Sequence, residues 1–342
     1  MEYELPEELI AQRPSAERDG GRLMVVRRGS EAPPIHSAIR QLPDWLQAGD
    51  VLVVNRSRVI PARLRGRRLP GGGAVELLVI APVAASARWR ALARPAKRLR
   101  DGQRVEMRAR DPGAGSLVVT VHPLAEGEVE ITFPEETDVH RWLDVAGEPP
   151  LPPYIRRPDG ALPSDAERYQ TIFAREPGSI AAPTAGLHLT EDLLVRIRAR
   201  GVRIAEVVLH VGPATFLAGQ PGRSALAVEP ERYRIPGETR DLLLDPARAG
   251  RIVAVGTTTT RALEAAARAG WPDRDQTTDL VLGPGSTFRV VDALLTNFHL
   301  PRSSLLALVA AFAGEKTIRG AYATAVEARY RFYSYGDAML LI

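Results

Sequence analysis

Asp50-Val-Leu-Val-Val-Asn-Arg-Ser-Arg58 sets the fold class. Four consecutive apolar residues, Val51 to Val54, leave neither side of a strand polar, so this strand is expected to be buried on both faces, as in an α/β sheet. The polar run Asn55 to Arg58 stands just past its carboxyl end, where such sheets meet their ligands. Arg251–Val255 repeats the pattern. It runs through Gly256-Thr-Thr-Thr-Thr260 into a helix expected over Arg261–Ala269 and closed by Gly270. A strand, a small-residue turn and a helix N-terminus present backbone N–H groups to an anion. The Gly-Lys-Ser/Thr ending of a P-loop is missing, and a plain tight turn reads the same letters.

Working outward, Arg22–Arg28 and Val202–Val211 read as strands, as do Thr278–Leu282 and Phe288–Val291. Thr190 caps a helix whose first turn holds Glu191 and Asp192 and whose apolar face holds Leu193, Leu194 and Ile197, ending at Gly201. An apolar helix is expected over Leu305–Ala313 and an amphipathic one over Thr317–Phe332. The apolar C-terminus reads as a buried strand. Alternating strands and helices predict a three-layer α/β body.

Between Leu64 and Thr137 the texture changes. Short β-like runs at Ala74–Ile80, Arg88–Arg94, Gln103–Arg110, Ser116–His122 and Glu128–Phe133 are separated by Gly, Pro and Asp turns, the pattern of a small all-β barrel. The expected organisation is therefore a discontinuous α/β catalytic body, 1–63 and 148–342, with a barrel inserted at 64–147. The stretch from Tyr169 to Thr190 follows neither a helical nor a strand period. Two prolines and two glycines interrupt it and leave Thr184 and His188 on a tightly turned backbone, suited to a binding floor or to an ordinary surface loop.

The 342 residues carry no cysteine, which excludes disulfides, iron–sulfur clusters and thiolate zinc sites. No signal peptide and no apolar run near the ~18 residues of a membrane span is visible, so a cytoplasmic, membrane-free protein is expected. The net charge of +4 is unevenly spread. Arg56–Arg110 holds 14 arginines and one lysine against Glu76, Asp101 and Glu106, a net of +12, leaving −8 elsewhere. Such a segment fits a polyanion, nucleic acid above all, or else a solvated barrel face.

Asn55-Arg-Ser-Arg-Val-Ile-Pro-Ala-Arg63, Arg94-Pro-Ala-Lys-Arg98, Pro183-Thr-Ala-Gly-Leu-His188, Thr296-Asn-Phe-His-Leu-Pro301 and Tyr335-Gly-Asp-Ala-Met339 occur in one order along the chain. On these blocks the sequence resembles the S-adenosylmethionine:tRNA ribosyltransferase-isomerases of queuosine biosynthesis, from Tyr3 to the C-terminus. The resemblance implies an α/β body with an inserted β-barrel. It also implies transfer and isomerisation of the ribosyl group of S-adenosylmethionine onto 7-aminomethyl-7-deazaguanine at a tRNA wobble position, giving epoxyqueuosine-tRNA, adenine and methionine. Two positions depart from the family pattern. Arg56 stands where an aspartate is usual, and Glu229 where a histidine is usual, while Glu231 and Tyr233 of the same run are kept.

The implied chemistry assigns expected roles. His188, His210 and His299, the three of six histidines inside or beside these blocks, form the acid–base pool, with Asp337 orienting one of them or binding a ribose hydroxyl. Thr184, Gly186, Thr257, Thr258 and Asn297 are expected to bind S-adenosylmethionine, the threonines at the helix start taking its carboxylate. Arg58, Arg63, Arg94, Lys97 and Arg98 are expected at tRNA phosphates, and Tyr154 or Tyr169 stacked on the extruded base. No metal and no permanent cofactor is required, S-adenosylmethionine being consumed, and a monomer is expected. A methyltransferase acting on RNA is the competing enzyme reading, disfavoured because no Gly-x-Gly loop follows the first strand. A non-catalytic RNA-binding protein is the other.

Overall fold

The computed structural model describes residues 1–83, 87–109, 113, 115–158, 160–217 and 229–342. Arg110 of the expected barrel strand and Val228, just before the departing Glu229, lie outside them, as does most of 218–236, which the sequence reads as a loop. The chain divides into two compact units. One comprises Met1–Arg58, Pro152–Arg156 and Arg168–Ile342; the other comprises Val59–Leu151 and Arg157–Glu167.

The first unit is built on a nine-stranded mixed sheet. From edge to edge its strands are Gln276–Thr278, Glu231–Arg234, Arg203–Leu209, Val51–Asn55, Ile252–Val255, Ala293–Asn297, Ala338–Leu341, Arg22–Val26 and Ile35–Ala38. Val51–Asn55 lies at its heart, parallel to Arg203–Leu209 and Ile252–Val255, and all five of its residues are buried. Period-2 alternation sends successive residues to opposite faces. Val51, Val53, Ile252 and Ala254 join one core with Leu263, Val309 and Tyr322 from the helices Thr257–Arg268, Ser304–Ala313 and Glu315–Glu327. Leu52, Val54, Val253 and Val255 join the other core with Leu42, Leu193 and Ile197. Helices on both faces make three layers, as the buried apolar runs predict.

Strand direction concentrates chain ends at one sheet edge. The carboxyl ends of Arg203–Leu209, Val51–Asn55, Ile252–Val255 and Ala293–Asn297 meet the amino ends of Ala338–Leu341, Arg22–Val26 and Glu231–Arg234 there.

The second unit contains a closed six-stranded barrel: Glu128–Thr132, Arg88–Arg94, Ala74–Pro82, Arg63–Leu69, Gln103–Arg108 and Ser116–Pro123. Inward positions are apolar and fully buried, among them Leu64, Leu77, Val79, Ala91, Val105, Met107, Val119, Val121, Val129 and Ile131. A helix, Val139–Ala146, capped by the Asp138 side chain, joins this otherwise all-β unit. So does 157–167, where the Arg157 guanidinium grips buried Asp165 through two bonds of 2.8 and 3.0 Å. Asp165 also accepts from the Leu162 N–H.

Several elements differ from the sequence reading. The strand expected over Thr278–Leu282 is instead Gln276–Thr278, paired with Glu231–Arg234, and beyond it the Leu280 N–H bonds the Thr278 hydroxyl at 3.1 Å rather than a ladder partner. The helix expected over Thr317–Phe332 spans Glu315–Glu327. The helix expected to start at Arg261 starts at Thr257, because Gly256 at φ +94° makes the turn and the threonines form the first helical turn. Phe288–Val291 is not a strand. The N–H groups of Arg289, Val290 and Val291 instead converge on the carboxylate of fully buried Glu264 at 2.9–3.2 Å.

Candidate active site

The edge where strand ends meet carries the polar residues of the first unit. Pro183 leads into a short 3-10 turn, Thr184–His188, whose Ala185, Gly186, Leu187 and His188 are buried. From it the Thr184 hydroxyl donates to Asn297 Oδ1 at 2.9 Å, and the Asn297 amide nitrogen lies 3.1 Å from His188 Nε2 and 3.5 Å from the Asp337 carbonyl oxygen. The Asp337 carboxylate accepts from the Arg22 N–H, the Arg22 guanidinium and the Arg331 N–H. Thr184, His188, Asn297 and Asp337 are thus one linked cluster.

Gly256 brings the helix N-terminus to the same place. A side chain there would reach Ala185 of the turn at 3.6 Å. The first N–H groups of a helix have no partner within it, and the Thr258 hydroxyl is itself buried without one. Thr257 and Thr258 therefore lie beside the 184–188 turn, in a geometry that favours an anionic group. Gly186 packs tightly, since a Cβ there would approach the Thr171 methyl to 3.0 Å. An open recess borders the cluster, walled by Ser15, Arg18, Arg168, Leu187, His188 and Tyr335.

The three histidines have different surroundings. His188 is buried, which pushes its pKa down to about 4; Asp337 opposes the shift and Arg331 adds to it. His299 hangs from the neighbouring position of the same strand end: its Nε2 bonds the Thr296 hydroxyl at 2.8 Å and its N–H donates to the Tyr322 hydroxyl at 2.9 Å. Thr296 and Asn297 are successive strand residues and face opposite sides of the sheet. His299 thus belongs to the side covered by Glu315–Glu327, where burial lowers its pKa to about 3. His210 follows Arg203–Leu209, half-buried, with no hydrogen bond to its Nδ1. Burial, then Arg232, lowers its pKa. Its ring lies against Gly178, where a Cβ would come within 2.6 Å of Nδ1.

Of the residues expected at tRNA, Arg58, Arg94, Lys97 and Arg98 are exposed, whereas Arg63 is not. The Arg63 guanidinium donates to the Leu151 carbonyl at 2.5 Å and lies 3.7 Å from Glu76. Its expected place at a phosphate gives way to a place inside its own unit. Tyr169 is 1% exposed and edge-on to Tyr335, while Tyr154 stacks on Tyr333 at 4.4 Å and bonds Ser334. Both rings spend their faces on protein, a geometry that offers no free platform to a base. Arg56, the basic departure, lies 3.3 Å from both Glu206 and Glu176, so its charge is matched locally.

Two features escaped the sequence reading. Asn55 stitches two strands, donating to the Leu209 carbonyl at 2.9 Å and accepting from the Leu209 and Ser57 N–H groups. Glu231 and Arg261 form a buried ion pair at 2.5 Å, and Glu231 also takes the Gly212 N–H. The retained Glu231 pointed to the pair; Arg261, amid a small-residue helix, carried no such signal. Among the described residues no group of histidines and carboxylates is arranged to hold a metal, and no helix is long and apolar enough to cross a membrane.

Polar groups from the turn at 184–188, a helix N-terminus and several strand ends, gathered at the carboxyl edge of a covered sheet, define an α/β enzyme. A family profile described as queuosine biosynthesis protein matches residues 1–341. An S-adenosylmethionine:tRNA ribosyltransferase-isomerase from Sorangium cellulosum (strain So ce56) is 48% identical, the match covering 100% of this chain and 97% of that protein. One from Trichlorobacter lovleyi is 46% identical, over 99% and 98%. The crystal structure of S-adenosylmethionine tRNA ribosyltransferase from Thermotoga maritima superposes with a TM-score of 0.56 at 37% identity, covering 100% and 99% of the two chains. The chain belongs to the queuosine-biosynthesis family of S-adenosylmethionine:tRNA ribosyltransferase-isomerases.

Proposed function

We propose that the protein transfers and isomerises the ribosyl group of S-adenosylmethionine onto 7-aminomethyl-7-deazaguanine at the wobble position of a tRNA, releasing adenine and methionine. The observation that carries this reading is kinship over the whole chain, and the edge cluster that links Thr184, His188 and Asn297 is consistent with it. The reaction needs a base for the ribose 5′ carbon, acidified by the neighbouring sulfonium, a hydrogen bond or proton for departing adenine, and a neutral attacking amine. Backbone N–H groups at Thr257 and Thr258 take the methionine carboxylate. His210 is the proton acceptor, since burial lowers its pKa and favours the neutral ring. The exposed Arg94, Lys97 and Arg98 bind tRNA phosphates.

The test is incubation with S-adenosylmethionine and an anticodon stem-loop RNA carrying the modified base. Free adenine and RNA heavier by the ribosyl-derived group are expected. Methylated RNA, or RNA binding without adenine release, would overturn the reading. His210→Ala is expected to lower turnover at least ~100-fold; near-normal turnover in a folded variant would remove His210 from the proton path.

A further inference from the structure

We infer that Thr184 and Asn297 are positioning residues that fix the tautomer of His188, holding its proton on Nδ1 and its lone pair on Nε2. The Asn297 amide has only one orientation that its neighbours allow. Its nitrogen lies 3.5 Å from the Asp337 backbone carbonyl, and its oxygen 2.9 Å from the Thr184 hydroxyl. A carbonyl only accepts, so the amide nitrogen belongs on the Asp337 side, and the oxygen is left for Thr184, whose hydroxyl donates. The same nitrogen is 3.1 Å from His188 Nε2. An amide N–H donates, so Nε2 must accept and cannot carry a hydrogen. The other ring nitrogen, Nδ1, then bears the proton and meets the Arg18 backbone, in the sense that favours protonation, as a carbonyl acceptor does.

The groups facing the ring agree with this state. Asp337 would favour an imidazolium, but its carboxylate is occupied by Arg22 and the Arg331 N–H. Arg331 and burial oppose a second proton, and Arg168 lies across the recess. An imidazolium would point an N–H at the N–H of Asn297. His188 is therefore an immobile neutral acceptor in the wall of the recess, and the Thr184 hydroxyl is the distal pin. That this matters for turnover rests on the ribosyl-transfer reading; the tautomer itself does not.

The experiment is long-range 1H–15N correlation of the ring nitrogens in the full-length protein with 15N-labelled histidine, the His188 signals being assigned by their loss in His188→Gln. The wild type is expected to show the Nδ1–H form, without titration from pH 8 down to about pH 5. Thr184→Val removes the donor, lets the amide turn over, and is expected to give a mixture containing the Nε2–H form; Thr184→Ser should restore the wild-type pattern. Asn297→Asp places a carboxylate at Nε2 and should make His188 titrate near or above neutral pH. An Nε2–H form or an imidazolium in the wild type at pH 7 would overturn the inference, and so would a Thr184→Val spectrum identical to the wild type. Adenine release is read in parallel: about a 10-fold loss of kcat in Thr184→Val with recovery in Thr184→Ser is expected. A wild type with the Nδ1–H form and no adenine release would refute the reaction and leave the tautomer standing.

Discussion

His299 shows how one buried side chain couples this fold to pH. Its pKa of about 3 lies below that of an imidazole in an unfolded chain, near 6.5. Unfolding therefore takes up a proton at intermediate pH. The stabilising contribution is complete above about pH 6.5 and is lost as pH falls toward 3. His188, at about 4, acts in the same direction. Denaturant midpoints measured from pH 7 to pH 4 should fall, and the slope should flatten in His299→Gln, which keeps a partner for Thr296. An unchanged slope in that variant would mean that other groups carry the acid sensitivity.

At the scale of elements, Glu264 replaces a strand. Its buried carboxylate gathers three consecutive backbone N–H groups and the Arg268 guanidinium at 2.6 Å. The 289–291 backbone is thereby satisfied without a ladder. Glu264→Ala would strand those donors and should cost about 3 kcal/mol in denaturant unfolding, with Glu264→Gln in between because one acceptor oxygen remains. Equal stability of Glu264→Ala and the wild type would show that water fills the role. This case also explains what could be read in advance. Val51–Val54 and the C-terminal Ala338–Leu341 announced themselves, because burial on both faces writes a continuous apolar run. Phe288–Val291 looked strand-like for another reason: its partner is a carboxylate 25 to 27 residues upstream, which no local period encodes. The Thr257 helix start was hidden likewise, since threonine suits turns and strands and only the φ of Gly256 decides. In the motif blocks, Thr184, His188, Asn297 and Asp337 turn out to be linked at one sheet edge. The separation of Asn297 from His188, 109 residues, gave no hint that strand alternation sends Thr296, with His299, to the other side of the sheet.

Across the whole molecule, charge should act selectively rather than in proportion to the arginine count. On the barrel, Arg88 and Arg90 lie 2.7 and 2.9 Å from Glu130 and Glu128, and Arg63 faces Glu76. Arg94, Lys97, Arg98, Arg100 and Arg104 are exposed, and among the described residues none of them forms an ion pair. Only the second group has a full charge to give to a phosphate, because a paired arginine must first give up its carboxylate. Binding of anticodon stem-loop RNA, followed against salt, should therefore separate the two groups. Lys97→Ala with Arg98→Ala should weaken binding for every RNA sequence and reduce the slope of log K against log[salt] by about 1–2, near one unit for each phosphate left without its cation. Arg88→Ala should leave the slope unchanged. Arg63→Ala should lower the stability of its unit by roughly 1–3 kcal/mol, through the unsatisfied Leu151 carbonyl and Glu76, while the salt slope stays as it was. Equal slope losses in Arg88→Ala and in the Lys97/Arg98 pair would mean that the RNA responds to net charge alone, and the division between matched and unmatched cations would have no part in recognition.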